Sequence, residues 1–252
     1  MNQELIERQK RMAVEQLDAA VNRALGRIKN EQKHSHDLTV PAIYAEHAKA
    51  LMRVANEIVL RHQRRSFVID EHNRDVLRFM LYYLNGCPLA EDVFPGRGYK
   101  LHKHLLLMGA VGTGKTLLMQ IFSEYLRITE NPRFFYNLSV TQMVNYYTLH
   151  NNLDRYTFNE EENRGFQCKP VNICLNDVGV QSTKFYGMDT ETLTNEFLHA
   201  RNEIWVNYHK MAHLTTNLTT EQLQKKYKDG FGRLLDRFKT YNVIPLTGDS
   251  RR

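Results

Sequence analysis

The stretch Gly109-Ala110-Val111-Gly112-Thr113-Gly114-Lys115-Thr116 decides the fold. It fits the pattern of Gly, any four residues, Gly, Lys, and Ser or Thr, and it directly follows an apolar run at 105–108. Helical spacing of apolar residues begins at Lys115, so the pattern stands between a predicted buried strand and a predicted helix. A phosphate-binding loop requires this context, because its backbone N–H groups and the positive end of the helix dipole hold the phosphates.

Each residue type in this loop has a chemical role. The Lys115 ammonium supplies a positive charge to the β and γ phosphates, and the Thr116 hydroxyl coordinates Mg²⁺, so the expected cofactors are ATP and Mg²⁺. A glycine-rich turn with a chance Lys-Thr pair is the alternative, and the strand-helix context argues against it. The predicted nucleotide-binding residues of the loop are Gly109, Ala110, Val111, Gly112, Thr113, Gly114, Lys115, Thr116 and Leu117.

Outward from the loop, short apolar runs alternate with helical periodicity. This alternation predicts an α/β fold with a parallel sheet flanked by helices and a small helical, lid-like part near the C-terminus. The predicted strands lie at 105–108, 133–136, 171–175, 211–216 and 242–246, and the predicted helices between them at 115–128, 140–150 and 190–208, followed by two short ones.

The first 66 residues differ in texture from the rest of the chain. Their apolar residues recur at helical spacing, among them Val14, Leu17 and Val21, which predicts a hairpin of two amphipathic helices, the second entered through Pro41. We therefore predict an N-terminal helical appendage, 1–66, and an ATPase domain, 67–252. Asp70 is expected to cap the first helix of that domain.

Composition excludes several classes of protein. The chain has 252 residues, 42% of them hydrophobic, which suffices for a sizeable core and excludes disorder throughout. Its three cysteines form no Cys-x-x-Cys pair, so they make neither a disulfide framework nor a zinc site. No apolar segment resembles a signal peptide or a membrane span, so we expect a soluble, cytoplasmic protein with no membrane contact. The pairs His34/His36 and His102/His104 lack companion metal ligands and are expected at the surface.

Polar residues end two further predicted strands. Asn176 and Asp177 follow an apolar strand about 60 positions after Lys115, where a P-loop ATPase carries its Mg²⁺-associated and water-polarising acids. Asn217 ends the strand at 211–216 and could orient the attacking water. Near the C-terminus, Arg233 and Arg237 stand four apart on one helical face. Such residues also occur where strands run into solvent or helices form salt-bridge ladders, but Arg237 could reach a neighbouring subunit's nucleotide.

In this order, residues 67–252 resemble the AAA+ ATPases of the DnaC and IstB group, which comprises helicase loaders and transposition helpers. The resemblance implies that Asp177 and Asn217 are catalytic, that Arg233 and Arg237 are arginine fingers for self-association, and that Arg251 contacts the nucleotide. It also implies a replicative hexameric helicase as the partner of 1–66, and single-stranded DNA as a second partner. The strings that carry it, besides the loop, are Asn176-Asp177-Val178-Gly179-Val180, Lys184-Phe185-Tyr186-Gly187, Thr215-Thr216-Asn217-Leu218, Arg233 with Arg237, and Leu246-Thr247-Gly248-Asp249-Ser250-Arg251.

The chain departs from that group at one position. The group ends this strand in two acids, and the first of them is Asn176 here, which contributes no negative charge to a Mg²⁺ site. If the register shifts so that Asp177 meets the metal, Val178 occupies the place of the catalytic acid. Either alignment predicts retained nucleotide binding with slow hydrolysis.

Four functions remain open from the sequence. The first is an ATP-dependent helicase loader, and the second is an IstB-like transposition helper built on the same core. A small-molecule phosphotransferase would not explain Asn217 with the terminal string Gly248-Asp249-Ser250-Arg251. A nucleotide-gated binding module with little hydrolysis is kept open by Asn176. For DNA, Lys184 with Phe185 and Tyr186 could track a single strand by charge and stacking.

Overall fold

The three-dimensional structure of the chain is a computed structural model. It describes residues 8, 11–22, 36–157, 169–179, 184–185, 188–227 and 233–251. Residues 11–22 are helical. The labelled elements, in chain order, are α1 (Pro41–Gln63), α2 (Arg74–Leu84), a 3₁₀ helix (Pro88–Asp92), β1 (His104–Met108), α3 (Lys115–Ile128), β2 (Phe135–Ser139), α4 (Val140–His150), α5 (Asp154–Thr157), β3 (Asn172–Val178), β4 (Lys184–Phe185), β5 (Met188–Asp189), α6 (Thr190–Tyr208), β6 (Ala212–Thr216), α7 (Thr220–Lys226), α8 (Arg233–Phe238) and β7 (Tyr241–Pro245).

Five strands form one parallel sheet in the order β2-β3-β6-β1-β7. The strand that leads into the glycine-rich loop, β1, therefore lies between β6 and β7, and β6 separates it from β3. The predicted α/β class with a parallel sheet flanked by helices is confirmed. The short helices α7 and α8 lie between β6 and β7, while β4 and β5 form a separate antiparallel pair.

Alternating side chains of the strands divide the core into two layers. Leu105 and Leu107 of β1 pack in one layer with α1, α2 and α3. Leu106, between them, faces the other layer with α4, α6 and α7. Because both faces of β1 are covered, this strand is apolar throughout its middle, as parallel strands are.

Helix boundaries follow local capping signals. The structure has helices at 115–128, 140–150 and 190–208, with the same first and last residues as predicted. Ser139 and Gln142 form a capping box at the start of α4, and Asp189 accepts a hydrogen bond from Thr192 N at the start of α6.

The strand predicted at 133–136 begins later, at Phe135. Asn131 holds Arg133 and Phe134, the two residues before the strand, in a turn. Its side-chain oxygen accepts from Arg133 N at 2.9 Å, and its carbonyl accepts from Phe134 N at 2.9 Å. Asn in a turn competes with strand pairing in this way. The correct strand runs on to Ser139.

Helix α1 packs against α3 and shares its core layer. Leu51 and Ala55 of α1 are buried together with Tyr125 and Leu126 of α3. The helix at 11–22, by contrast, is exposed at every residue. A domain boundary at residue 66 stays a prediction.

One predicted surface residue is buried. His104 opens β1 with 2% of its side chain exposed, so its assignment to the surface was wrong, whereas His36 and His102 are exposed. Nδ1 of His104 accepts a hydrogen bond from Ala212 N, which satisfies a polar group inside the sheet. His34 lies outside the described residues. No helix in the described part of the chain is long and apolar enough to cross a membrane.

Candidate functional site

The glycine-rich loop leaves the carboxyl end of β1 and wraps back toward α3. Gly109 N donates to Thr216 O at 3.3 Å, which ties the start of the loop to β6. A Cβ at Gly109 would lie 2.1 Å from Leu246 O, and a Cβ at Gly112, whose φ is +90°, would lie 2.3 Å from Ser250 Oγ. Only glycine fits two such positions. The sequence pattern therefore reflects close backbone approach by the C-terminal segment.

Helix α3 begins directly after the loop, at Lys115. Its N-terminal N–H groups face the loop, and a helix N-terminus of this length favours anions. Lys115 is 4% exposed, and its ammonium donates to Gly109 O and Ala110 O, each at 2.7 Å. The lysine thus braces the inside of the loop, beside the place where phosphates would bind.

A cavity of about 350 Å³ opens over this loop. Ligand pockets have volumes of about 300–1,000 Å³. The predicted residues Lys115, Thr116, Asp177, Asn217 and Arg251, from four separate segments of the chain, all line it. The other described lining residues are His62, Gln63, Val111, Gly112, Gly114, Leu117 and Gln120.

Asp177 reaches the cavity through an irregularity in β3. The pairing of β3 with β6 shifts register between Leu175 and Val178, and Asp177 adopts a φ of +63°. Its backbone N–H donates to Thr215 Oγ1 at 3.0 Å instead of joining the regular ladder. A bulge with a left-handed residue re-aims a side chain, and such strain concentrates at functional sites.

Asn176 occupies a different environment. It is buried within the sheet: its Oδ1 accepts from Thr215 Oγ1 at 3.2 Å, and its Nδ2 donates to Asn137 Oδ1 at 3.1 Å. The described residues that line the cavity include Asp177 and not Asn176. The adjacent Val178 is buried, with 1% of its side chain exposed.

Asn217 follows β6 directly and is exposed at the cavity. Because β6 pairs in parallel with β1, the ends of the two strands meet at one edge of the sheet. Asn217 therefore lies next to the glycine-rich loop, as its strand position predicted.

Arg251 lies where the chain crosses the loop. Its backbone N–H donates to Gly112 O at 2.9 Å, and its side chain forms an ion pair with Asp70. Hydrogen bonding from the Arg251 guanidinium lowers the pKa of the Asp70 carboxyl from its ordinary value. Asp70 was expected to cap a helix; instead it accepts from His72 N and Asn73 N in the turn before α2.

Arg237 lies at the opposite edge of the sheet. It contacts His199 and lines a small pocket with His104, Arg201 and Tyr241, next to the amino ends of β1 and β7. The structure does not bring it to the loop of its own chain. The side chain of Arg233 is outside the described part of the chain.

Several cavity residues were missed by the sequence motifs. Gln120 stands four positions after Thr116 on α3, so helical spacing could have identified it. His62 and Gln63 come from the end of α1, and the partner of Arg251 outside the cavity lining, Asp70, lies 181 residues away in the chain. No local pattern relates such distant positions.

Among the described residues, no group of three or more His, Cys, Asp or Glu side chains could hold a metal ion unaided. One carboxylate, Asp177, and one hydroxyl, Thr116, are instead suited to a metal that also binds phosphate oxygens, as Mg²⁺ does. The donor set therefore fits Mg²⁺ bound together with a nucleotide.

Comparison with known proteins gives structural matches only. No protein-family model and no curated protein matches this chain. It is similar to AMPPCP-bound DnaA from Aquifex aeolicus, with a TM-score of 0.46 and 20% identity over 73% of this chain and 49% of that one. It is also similar to domain III from the Thermotoga maritima replication initiation protein DnaA, with a TM-score of 0.46 and 19% identity over 72% of this chain and 65% of that one. The chain thus spans about half and about two thirds of these two neighbours.

Proposed function

We propose that the chain is an ATPase of the AAA+ type that binds Mg·ATP at the carboxyl edge of its sheet and serves as a helicase loader. One observation carries the nucleotide part of this proposal: Lys115, Thr116, Asp177, Asn217 and Arg251 line a single cavity over the glycine-rich loop. A strand-loop-helix unit with this composition is suited to a triphosphate.

The residues divide the work of holding Mg·ATP. Backbone N–H groups of the loop and of the α3 N-terminus would bind the phosphates, and Lys115 and Arg251 would balance their charge. Thr116 and Asp177 would hold Mg²⁺, which lowers the charge of the β and γ phosphates when bound. Asn217 would orient water toward the terminal phosphate.

Slow hydrolysis follows from the residues around Asp177. If Asp177 associates with the metal, the next residue is a buried valine, and no carboxylate remains at the neighbouring position to polarise water. The hydrogen bonds of Asn176 to Asn137 and Thr215 support this alignment, because they keep its amide inside the sheet.

Asn176→Asp distinguishes the two alignments. If Asp177 is the metal-associated acid, the new carboxylate would lie in a buried amide network, so the variant should be less stable and turnover should stay slow. If Asn176 stands in that place, the variant should accelerate ATP hydrolysis. A wild-type turnover comparable with ordinary AAA+ enzymes would contradict both.

Helicase binding is assigned to residues 1–66. Its structural support is the helix at 11–22, where Val14, Leu17 and Val21 stand exposed at helical spacing. An exposed apolar stripe of this kind is suited to packing against a partner helix. Because Leu17 is 64% exposed, Leu17→Glu should weaken helicase capture without unfolding the chain, whereas the control Gln16→Glu should leave it unchanged. Equal capture by both variants would reject this assignment.

Self-association is assigned to Arg237, with Arg233 as its companion. The two strands next to β1 have five residues each, so the amino and carboxyl ends of these strands are about 16 Å apart. Arg237 would therefore act on the nucleotide of a neighbouring copy. Native mass measurement with ATP should detect an assembly that Arg237→Ala and Lys115→Met each abolish, and a mixture of the two variants should regain part of the turnover. A persistent monomer with ATP would contradict this assignment.

Single-stranded DNA is the proposed nucleic-acid partner. Lys184 and Phe185 form β4, and their side chains lie outside the described part of the chain. Binding through charge and stacking should weaken as salt rises and should be reduced in Phe185→Ala. Affinity indifferent to both would remove DNA from the proposal.

A nucleotide-gated binding module is the second candidate. The buried Val178 next to Asp177 favours it, because a site without a second acid can use ATP binding itself as the signal. Measuring helicase capture with ATP and with a non-hydrolysable analogue separates the two functions: the module needs no hydrolysis to release its partner, whereas the loader does. The transposition helper is tested by the same capture experiment with a transposase in place of the helicase.

A further inference from the structure

The guanidinium of Arg251 is held by a carboxylate of its own chain. Its Nη2 lies 2.9 Å from Oδ1 and 2.8 Å from Oδ2 of Asp70. That carboxylate is fixed in turn, since it also accepts from His72 N at 3.0 Å and Asn73 N at 3.1 Å. Asp70 is negatively charged at neutral pH, and hydrogen bonding from Arg251 lowers its pKa further from the ordinary value. Asp70 is thus a fixed anion in contact with Arg251, which lines the cavity over the glycine-rich loop.

This arrangement limits what Arg251 can offer a phosphate. Besides the occupied Nη2, its Nε is buried and has no hydrogen-bond partner among the described residues. A bidentate contact to a phosphate uses two N–H groups of the guanidinium. The Asp70 carboxylate already balances the guanidinium charge, so a phosphate that binds Arg251 must either share the guanidinium with Asp70 or displace the carboxylate.

The surrounding segment holds the same geometry. The Arg251 carbonyl accepts from the Arg65 side chain, and its N–H donates to Gly112 O. Four residues before Arg251, Thr247 Oγ1 lies 3.2 Å from His72 Nδ1. The C-terminal segment therefore contacts both the residues after α1 and the glycine-rich loop. Its ion pair with Asp70 is made by the Arg251 guanidinium.

We propose that Asp70 competes with the terminal phosphate of ATP for Arg251, so that the ion pair is exchanged for a phosphate contact when ATP binds. The proposal rests on the function proposed above, and it makes Asp70 a residue that sets the preference for ATP over ADP. ADP lacks the terminal phosphate and leaves the Asp70–Arg251 pair intact. ATP must displace the carboxylate, which lowers its affinity.

Removing the competitor tests the exchange. In Asp70→Asn the side chain keeps its size and loses its charge, so ATP affinity should rise about fivefold, the value of a partly exposed ion pair, while ADP affinity should stay unchanged. Glu71→Gln is the matched control, because it removes the same charge from the next position, where the side chain is 87% exposed. It should change neither affinity. Both are measured by calorimetric titration of the full chain with Mg·ATP and with Mg·ADP.

A double-mutant cycle links the effect to Arg251. In the Arg251→Ala background, Asp70→Asn should have no further effect on ATP affinity. The proposal is overturned if Asp70→Asn matches Glu71→Gln, if it raises ATP and ADP affinity equally, or if it weakens ATP binding as Arg251→Ala does, since Asp70 would then position the arginine. A wild-type chain that binds neither nucleotide would instead contradict the proposed function itself.

Discussion

The carboxyl edge and the amino edge of the sheet, where the parallel strands end and begin, both carry polar residues, but these residues have different roles. At the carboxyl edge, Lys115, Asp177 and Arg251 line a cavity, and Asp177 keeps a left-handed backbone to do so. At the amino edge, His104 and Arg201 are each 2% exposed and hydrogen-bonded to the backbone. The pocket that His104 and Arg201 line has a volume of about 10 Å³, against about 350 Å³ at the carboxyl edge, so only the carboxyl edge has room for a nucleotide.

Two histidines illustrate the structural role. His104 Nδ1 accepts from Ala212 N at 3.2 Å, and His213 Nδ1 accepts from Leu105 N at 3.1 Å. The two rings therefore join the starts of β1 and β6 reciprocally. Burial, and then the charge of Arg201, lowers the pKa of His104 to about 3, and burial lowers that of His213 well below its ordinary value. A strongly shifted pKa here marks a core residue and not a catalytic one.

The largest effect that tests this contrast is expected at Arg201. Its guanidinium donates to Val171 O at 2.6 Å, Met211 O at 3.1 Å and Tyr156 O at 3.3 Å. Arg201→Met removes these three hydrogen bonds from the core, leaving Met211 O only the bond from Ile173 N, and should lower the free energy of unfolding by about 3 kcal/mol in urea titration. Nucleotide affinity of the folded variant should not change.

The matched control for that experiment is Arg78→Met, whose arginine forms an exposed ion pair with Asp75. Its free energy of unfolding should stay within about 0.5 kcal/mol of wild type. If Arg201→Met were as stable as this control and lost ATP binding, the amino edge would be functional and the contrast would fail.

A smaller effect is expected from acid. The folded-state pKa of His104 is lowered, so unfolded chains bind more protons below pH 6.5, and stability present above that pH is lost as pH falls toward 3. Between pH 7 and pH 5, the free energy of unfolding should fall by about 2 kcal/mol for each such histidine. His104→Asn, whose amide can accept the same hydrogen bond, should lose less over this range than wild type. An equal loss in both proteins would remove His104 as the cause.

The smallest effect has the opposite sign. Glycine adopts a φ of +63° without strain, so Asp177→Gly should raise the free energy of unfolding by about 1 kcal/mol while Mg²⁺-dependent ATP turnover falls. Asp177→Asn keeps the backbone cost and removes only the charge, so it should lose turnover without gaining stability. A less stable Asp177→Gly variant would show that the bulge is not strained.

Sequence patterns identified the loop and most of the fold because those signals are local. Lys115 and Thr116 sit at fixed offsets in a motif, and the Ser139–Gln142 capping box marks the start of α4 within four residues. The environment of Asp177 depends instead on the register of β3 against β6, where Thr215 takes up its backbone N–H. Asp70 pairs with a residue 181 positions away. His104 is buried because its strand is covered on both sides, which its local sequence does not show. Such facts depend on tertiary packing, which no short pattern records.

The central claim is that the carboxyl edge of the sheet binds Mg·ATP. Calorimetric titration of wild type and Lys115→Met with Mg·ATP tests it most directly, with Lys49→Met, an exposed lysine in an ion pair, as the control. Wild type and the control should bind one nucleotide per chain with equal affinity, and Lys115→Met should bind at least about 100-fold more weakly, as expected for loss of a charge-assisted phosphate contact. Equal binding by all three proteins, or none by the wild type, would contradict the assignment.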